Sequence, residues 1–159
     1  LAQLVYNDVR VIGHFDIRGW VCVSEEVDLR RITRDIVDSV TKGVCNLVNL
    51  DLLQNKLKDV LIGKCCLIVL DDIWNENRNI LEALLAPFKF GKQGSKIVVT
   101  TRSEVVSKIM GTISTHSLGV LKTEDCSSLF WQRAAVDEKY LNAHPNLKAI
   151  GEKIVKKCK

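Results

Sequence analysis

The sequence predicts an α/β fold: a parallel β-sheet with helices on both sides. Three observations carry this. Cys65–Leu70, CCLIVL, is a short continuous apolar run rich in branched residues, the composition of a strand buried on both faces. Phe15–Val23 alternates or runs apolar with β-branched and aromatic residues, and Lys96–Thr101 is a second short apolar run at strand length. Between these runs lie stretches with apolar residues at helical spacing, and strands alternating with helices argue for parallel strands joined by crossovers.

The elements follow in order. Leu1–Val11 reads as an amphipathic helix, with Leu1, Leu4, Val5 and Val9 at helical spacing and Gly13 as its break. The strand Phe15–Val23 comes next, then a loop at Ser24-Glu25-Glu26. Asp28 is a candidate N-cap for a helix that carries Leu29, Ile32, Ile36, Val37 and Val40 on one face. A link over Thr41–Val48 contains Gly43. Asn49 starts a second helix with Leu50, Leu53, Leu57 and Leu61, and Gly63 stops it. The Cys65–Leu70 strand follows. Asn79 with Glu82 resembles a capping box for a helix with Ile80, Leu81, Leu84 and Leu85, which Pro87 ends. Gly91–Ser95 is a turn before Lys96–Thr101. Ser103 caps a short helix with Val105, Val106 and Ile109, closed by Gly111. Thr115–Leu121 reads as a weaker strand, because Gly119 interrupts it. Thr123 caps a helix with Cys126, Leu129, Phe130 and Ala134 on its face. A loop containing Pro145 precedes a last helix, where Leu147, Ile150, Ile154 and Cys158 share a face. No strand is expected after Lys122, so a boundary is predicted there, between an α/β domain over 1–121 and a helical part over 122–159.

Composition bounds the function. A chain of 159 residues is about one domain, and 47% apolar residues is ordinary for a globular core. The net charge of +4 is spread out, which gives no nucleic-acid footprint. The lysines at 153, 156, 157 and 159 read as the solvated face of a helix. Six cysteines form no C-x-x-C pair and read as reduced thiols of a cytoplasmic protein. His14, His116 and His144 lack ligand spacing. No signal peptide and no membrane-spanning run is visible.

The chemistry gathers at two strand ends. Asp71 and Asp72 follow the apolar run at once, and Trp74 comes two residues later. In open parallel sheets ligands bind beyond the carboxyl ends of the strands. Paired carboxylates there have the form of a Walker B element, whose oxygens suit a phosphate-bound Mg²⁺. The plainer reading is that the two aspartates cap a turn. The strand Lys96–Thr101 delivers Thr100, Thr101 and Arg102, and an arginine at that place can reach a terminal phosphate. Its plainer reading is a surface ion pair. The glycine loop that would cradle the phosphates, G-x-x-x-x-G-K-[ST], does not occur in the sequence. The chain starts inside an uncapped helix and stops without a C-cap, so it is expected to be a piece of a longer protein, with that loop before Leu1.

These motifs, in this order, resemble the nucleotide-binding NB-ARC domain of plant disease-resistance proteins with leucine-rich repeats. LAQLVYND resembles the helix after the family's phosphate loop, FDIRGWVCVSEEVDLRRITRDIV its first resistance motif, and CCLIVLDDIW its Walker B strand. GSKIVVTTRSEVV and HSLGVLKTEDCSSLFWQRAA resemble the next two. Trp74 and WVCVSEE are closer to the coiled-coil class than to the Toll/interleukin-receptor class. The resemblance implies a P-loop NTPase-like three-layer parallel sheet, here without its first strand and phosphate loop, followed by the start of the helical ARC part. It implies an ADP/ATP switch with Mg²⁺ in pathogen defence, with slow hydrolysis at most. By position, Asp71 would hold Mg²⁺ through water, Asp72 would act on the hydrolytic water, and Thr101 and Arg102 would meet the nucleotide, Arg102 at the γ-phosphate. Implied partners are the coiled-coil and leucine-rich-repeat domains of the same protein, and self-association on activation. In the related fold the strand before the phosphate loop is central. Without it the neighbouring edges are unpaired, so the segment alone is expected to fold poorly and bind ADP no tighter than about millimolar.

Other readings stay open on the residues alone. One is an AAA-like ATPase with genuine turnover, distinguished by rate and by an arginine finger from a neighbour. Another is a phospho-acceptor receiver domain, for which only Glu25-Glu26 could supply the earlier acidic pair. A third is a degenerate scaffold that binds no nucleotide.

Overall fold

A computed structural model describes residues 1–23 and 28–157; the expected loop at Ser24-Glu25-Glu26 and the last residue of the expected C-terminal face, Cys158, lie outside them. The chain divides into two compact units, Leu1–Thr115 and His116–Lys159.

The first unit holds a three-stranded parallel sheet in the order β1 (Ile17–Cys22), β2 (Cys66–Asp71), β3 (Lys96–Val99). The predicted parallel α/β architecture is therefore present. β2 is central and paired on both edges, so among the described residues the unpaired edges of the sheet are only the outer ones of β1 and β3: both strands pair with β2 directly, and its residues Cys66 to Leu70 are all at most 5% exposed. Its alternate side chains enter two environments. Cys66, Ile68 and Leu70 join Val21, Val23, Ile32, Ile36, Leu57 and Leu61 in one core. That core is closed by α3 (Leu29–Thr41), α4 (Leu50–Leu61), α5 (Arg78–Leu85) and α6 (Glu104–Met110). On the opposite face Tyr6, from α1 (Ala2–Tyr6), meets Trp20 edge-to-face and lies under the Arg18 guanidinium.

The caps explain where the helices start. The side chains of Asp28, Asn49 and Ser103 accept backbone N–H bonds at the heads of α3, α4 and α6, as the sequence predicts. α3 docks closely on β1 because residue 19 is glycine: a Cβ there would sit 2.9 Å from Val40 Cγ1. The same approach lets Ser39 Oγ accept from Trp20 N and donate to Trp20 O, which satisfies part of the outer edge of β1. Burial pushes the Cys66 thiol up from its usual range, so it stays a protonated core side chain.

Five local expectations are corrected. The first helix is two short ones, Ala2–Tyr6 and α2 (Val9–Ile12), because Asp8 turns its carboxylate onto Arg10 N and starts a new helix. The cap of α5 is Asn77, whose Oδ1 accepts from Asn79 N and Ile80 N; Asn79 is inside the helix. Thr115–Leu121 is not a strand: all seven residues are exposed, and no strand lies beside them among the described residues. Thr123 is the first helical residue of α7 (Thr123–Ala134) and makes no side-chain cap bond; Lys122 takes the N-cap position. Pro145 opens α9 (Pro145–Lys157) instead of lying in the loop before it, at a position where its missing N–H costs nothing. A further short helix, α8 (Glu138–Ala143), precedes it, headed by Asp137.

The second unit packs these helices on a different face from the expected one. Leu147, Ile150 and Ile154 of α9 are 42–53% exposed, whereas Gly151 and Val155 are buried. The reason is Trp131 of α7. Its indole occupies the slot that Gly151 leaves open, and a Cβ on residue 151 would fall 2.1 Å from Trp131 Cη2. Alanine normally stabilises a helix interior relative to glycine. Here Gly151→Ala is expected to destabilise this unit by about 1–3 kcal/mol through overpacking. Hydrogen exchange of the α9 amides, which is local to this unit, checks the sign.

Candidate functional site

The site is the loop beyond β2 stitched to the loop beyond β3. The stitching begins where the strands end. Val23 N donates to Asp71 O at 2.8 Å and Thr100 N to Leu70 O at 3.1 Å, so pairing persists on both sides of β2. Asp72 then takes a left-handed conformation, φ 61°, which ends the strand. Aspartate is among the few residues that tolerate it.

Thr100 is the centre of the arrangement. Its hydroxyl donates to Asp71 Oδ1 at 2.5 Å and accepts from Asp72 N at 2.8 Å. Ile73 N donates to Thr100 O at 3.0 Å, and the Ile73 side chain is 1% exposed, which anchors the loop in the core. The Thr101 hydroxyl donates to Ile73 O at 2.7 Å and accepts from Ser103 N at 3.0 Å. Ser103 Oγ donates to Glu76 Oε1 at 2.6 Å. These bonds set Trp74 beside Arg102. The Arg102 guanidinium lies 4.1 Å over the Trp74 ring and 3.9 Å from Asp72 Oδ1.

Asp71, Asp72 and Arg102 are thus gathered at one end of the sheet. Thr101 is there too, with its hydroxyl engaged inside the protein. The sequence placed Thr100 among the polar groups delivered at a strand end, without the junction it makes, and marked Trp74 only as a family feature. The signal for Thr100 was its position directly after β3, beside a carboxylate directly after β2. Glu76 as the partner of Ser103 left no signal at all.

The donor set fits Mg²⁺. The carboxylates of Asp71 and Asp72 are oxygen donors at a strand end, the ligand type that Mg²⁺ takes beside waters and substrate oxygens. No group of three His, Cys, Asp or Glu suited to a metal occurs among the described residues. Two concavities lie elsewhere. A cavity of about 90 Å³ between Leu61, Phe88, Ser95 and Ile97 opens near the start of β3, and a groove runs by Thr41, Cys45 and Lys56. Neither touches Asp71 or Arg102. Among the described residues no helix is long and apolar enough to cross a membrane.

Comparison with known proteins gives the family. The family model of the NB-ARC domain matches residues 1–139. Disease resistance protein RGA2 of Solanum bulbocastanum is 46% identical over 159 residues, 99% of this chain and 16% of that protein. RPP13-like protein 1 of Arabidopsis thaliana, also named for disease resistance, is 43% identical over 165 residues, covering 100% of this chain and 15% of that protein. Disease resistance RPP13-like protein 4 of Arabidopsis thaliana is 33% identical over 165 residues, covering 100% of this chain and 19% of that protein. The chain therefore spans less than a fifth of the length of each of these relatives. With its parallel sheet, its paired aspartates and its strand-end arginine, the chain belongs to the NB-ARC family, alongside plant disease-resistance proteins.

Proposed function

We propose that this chain is part of the nucleotide-dependent switch of an intracellular plant immune receptor, one that rests with ADP, activates with ATP and hydrolyses slowly. The observation that carries the reading is that Asp71, Asp72 and Arg102 meet on adjacent parallel strand ends, with Thr100 bonded to Asp71 and the Asp72 amide and Arg102 3.9 Å from Asp72 Oδ1. Mg²⁺ would supply charge neutralisation for the phosphates when bound. In this reading Asp71 would hold Mg²⁺ through water, and Asp72 would position the hydrolytic water. Arg102 meets the γ-phosphate, and Thr101 serves the nucleotide by bracing the turn that carries Arg102. Residues 1–121 form the nucleotide-binding part and 122–159 the start of the helical ARC part. The coiled-coil and leucine-rich-repeat domains of the whole protein would be its intramolecular partners, and activation would bring self-association.

The test is titration of MgADP and MgATP into the full protein that carries this chain. Asp71→Ala is expected to weaken MgATP binding about 10- to 100-fold, the usual effect of losing a group that orients a metal's ligand. EDTA should weaken the wild type by a similar factor and leave Asp71→Ala nearly unchanged. A wild-type protein that binds neither nucleotide, or an Asp71→Ala variant that binds like wild type, overturns the reading. Rapid steady turnover with intact binding would favour the AAA-like ATPase instead.

A further inference from the structure

Trp74 is 40% exposed. A large aromatic ring left in solvent invites a physical reason, and the structure supplies one. The Arg102 guanidinium is stacked 4.1 Å over the ring while Asp72 Oδ1 lies 3.9 Å away from it. Arg102 is otherwise open to solvent, its side chain 73% exposed. A free arginine side chain of that exposure samples many rotamers, and ordering it on a ligand costs rotamer entropy. The indole face removes part of that cost in advance. The backbone on each side is fixed by bonds already described: Ile73 is pinned by Thr100 O and Thr101 Oγ1 immediately before Trp74, and Ser103 N is pinned by Thr101 Oγ1 immediately after Arg102. The stacking therefore joins two side chains whose backbones are held in register.

We propose that Trp74 is a positioning residue: its ring holds the Arg102 guanidinium in one presented geometry, so that a nucleoside triphosphate is told from a diphosphate by a preorganised cation. This rests on the switch reading above. Asp72 holds the same guanidinium more loosely, as an exposed ion pair worth little by itself. A terminal phosphate, with more charge and more acceptor oxygens, displaces Asp72 as the partner while the ring keeps its place. Arginine suits both tasks, because its plane stacks on an aromatic face while its edge donates to oxygen.

The first measurement uses the nucleotide-free full protein. The Arg102 Nε–H resonance should be displaced upfield by the ring current of Trp74, and Trp74→Leu, which keeps apolar bulk, should return it to the free-arginine position. The second is binding of MgATP and MgADP to wild type, Trp74→Leu, Trp74→Phe, Arg102→Ala and the Trp74→Leu/Arg102→Ala double variant. Trp74→Leu should lower the preference for ATP over ADP about two- to fivefold, the range an exposed cation–π contact commands. Trp74→Phe should restore part of it, and ADP affinity should stay constant. In the Arg102→Ala background the leucine substitution should have no further effect, because coupled residues are not additive. Loss of ATP preference in Arg102→Ala but not in Trp74→Leu overturns the role of Trp74 and leaves the switch reading intact. An effect of Trp74→Leu that persists without Arg102 also overturns it. Absence of nucleotide binding by wild type overturns both.

Discussion

Truncation of Ile68 to alanine is expected to lower the stability of the Leu1–Thr115 unit by about 3–5 kcal/mol, the upper part of the range for a buried isoleucine. Ile68 is fully buried in the middle of the central strand, level with Gly19 of β1 and Ile97 of β3. Its Cδ1 would lie 3.2 Å from a Cβ placed on Gly19, so it fills the space that lets α3 approach the sheet. The cavity left by alanine is hemmed by two paired strands and a docked helix, and cannot collapse without breaking one of those contacts. Such sites lie at the costly end because relaxation is small. Val98 is the comparison. It lies on β3, paired beside Val69 of the same sheet, but is 38% exposed. Val98→Ala should stay within about 0.5 kcal/mol, as surface substitutions do. Urea midpoints for the two variants measure the difference; equal shifts would mean that β2 is not the mechanical centre of the unit.

The sheet was readable because burial leaves a compositional trace. A strand covered on both faces must be apolar at every position, and CCLIVL is. Helix starts at Asp28, Asn49 and Ser103 were readable for a local reason, since a cap is made by a side chain and the N–H groups two or three residues on. The misses have the opposite cause. Thr115–Leu121 has β-branched residues, but a strand is defined by a neighbour, and neighbours are not written in a local window. The buried face of α9 was misread because its largest partner is the indole of Trp131, and the position that admits it is a glycine, which no hydrophobic pattern registers. The placement of the two aspartates and the arginine at neighbouring strand ends was legible in the sequence. What joins them was not, because Thr100 looks like any strand-terminal threonine until the register of β2 and β3 sets its hydroxyl against Asp71.

That hydroxyl is the basis of the second large effect. Thr100→Val is expected to destabilise the unit by about 2–4 kcal/mol, although it preserves shape and β-branching. One O–H does two jobs at once: it donates to the Asp71 carboxylate and accepts from the Asp72 amide. Hydroxyls are the small side-chain groups that carry a donor and acceptor lone pairs on one atom. Valine forfeits a bond to a charged group, worth about 1.5–3 kcal/mol, and leaves the Asp72 N–H without its partner. The second loss falls on a residue already held at φ 61°, so the turn that aims Asp72 loses its restraint as well. Thr100→Ser keeps both bonds and should cost no more than about 1 kcal/mol, the difference between losing a methyl group and losing the junction. Hydrogen exchange separates the two contributions: the Asp72 amide should exchange faster in the valine variant and stay protected in the serine variant. If valine and serine cost the same, packing of the methyl group holds these loops together, and the carboxylates are placed by their strands alone. If valine alone is costly, the strand-end carboxylates share one hydroxyl clamp. Weaker Mg²⁺-dependent nucleotide binding in Thr100→Val, with Asp71 and Asp72 both intact, would then follow from their lost alignment.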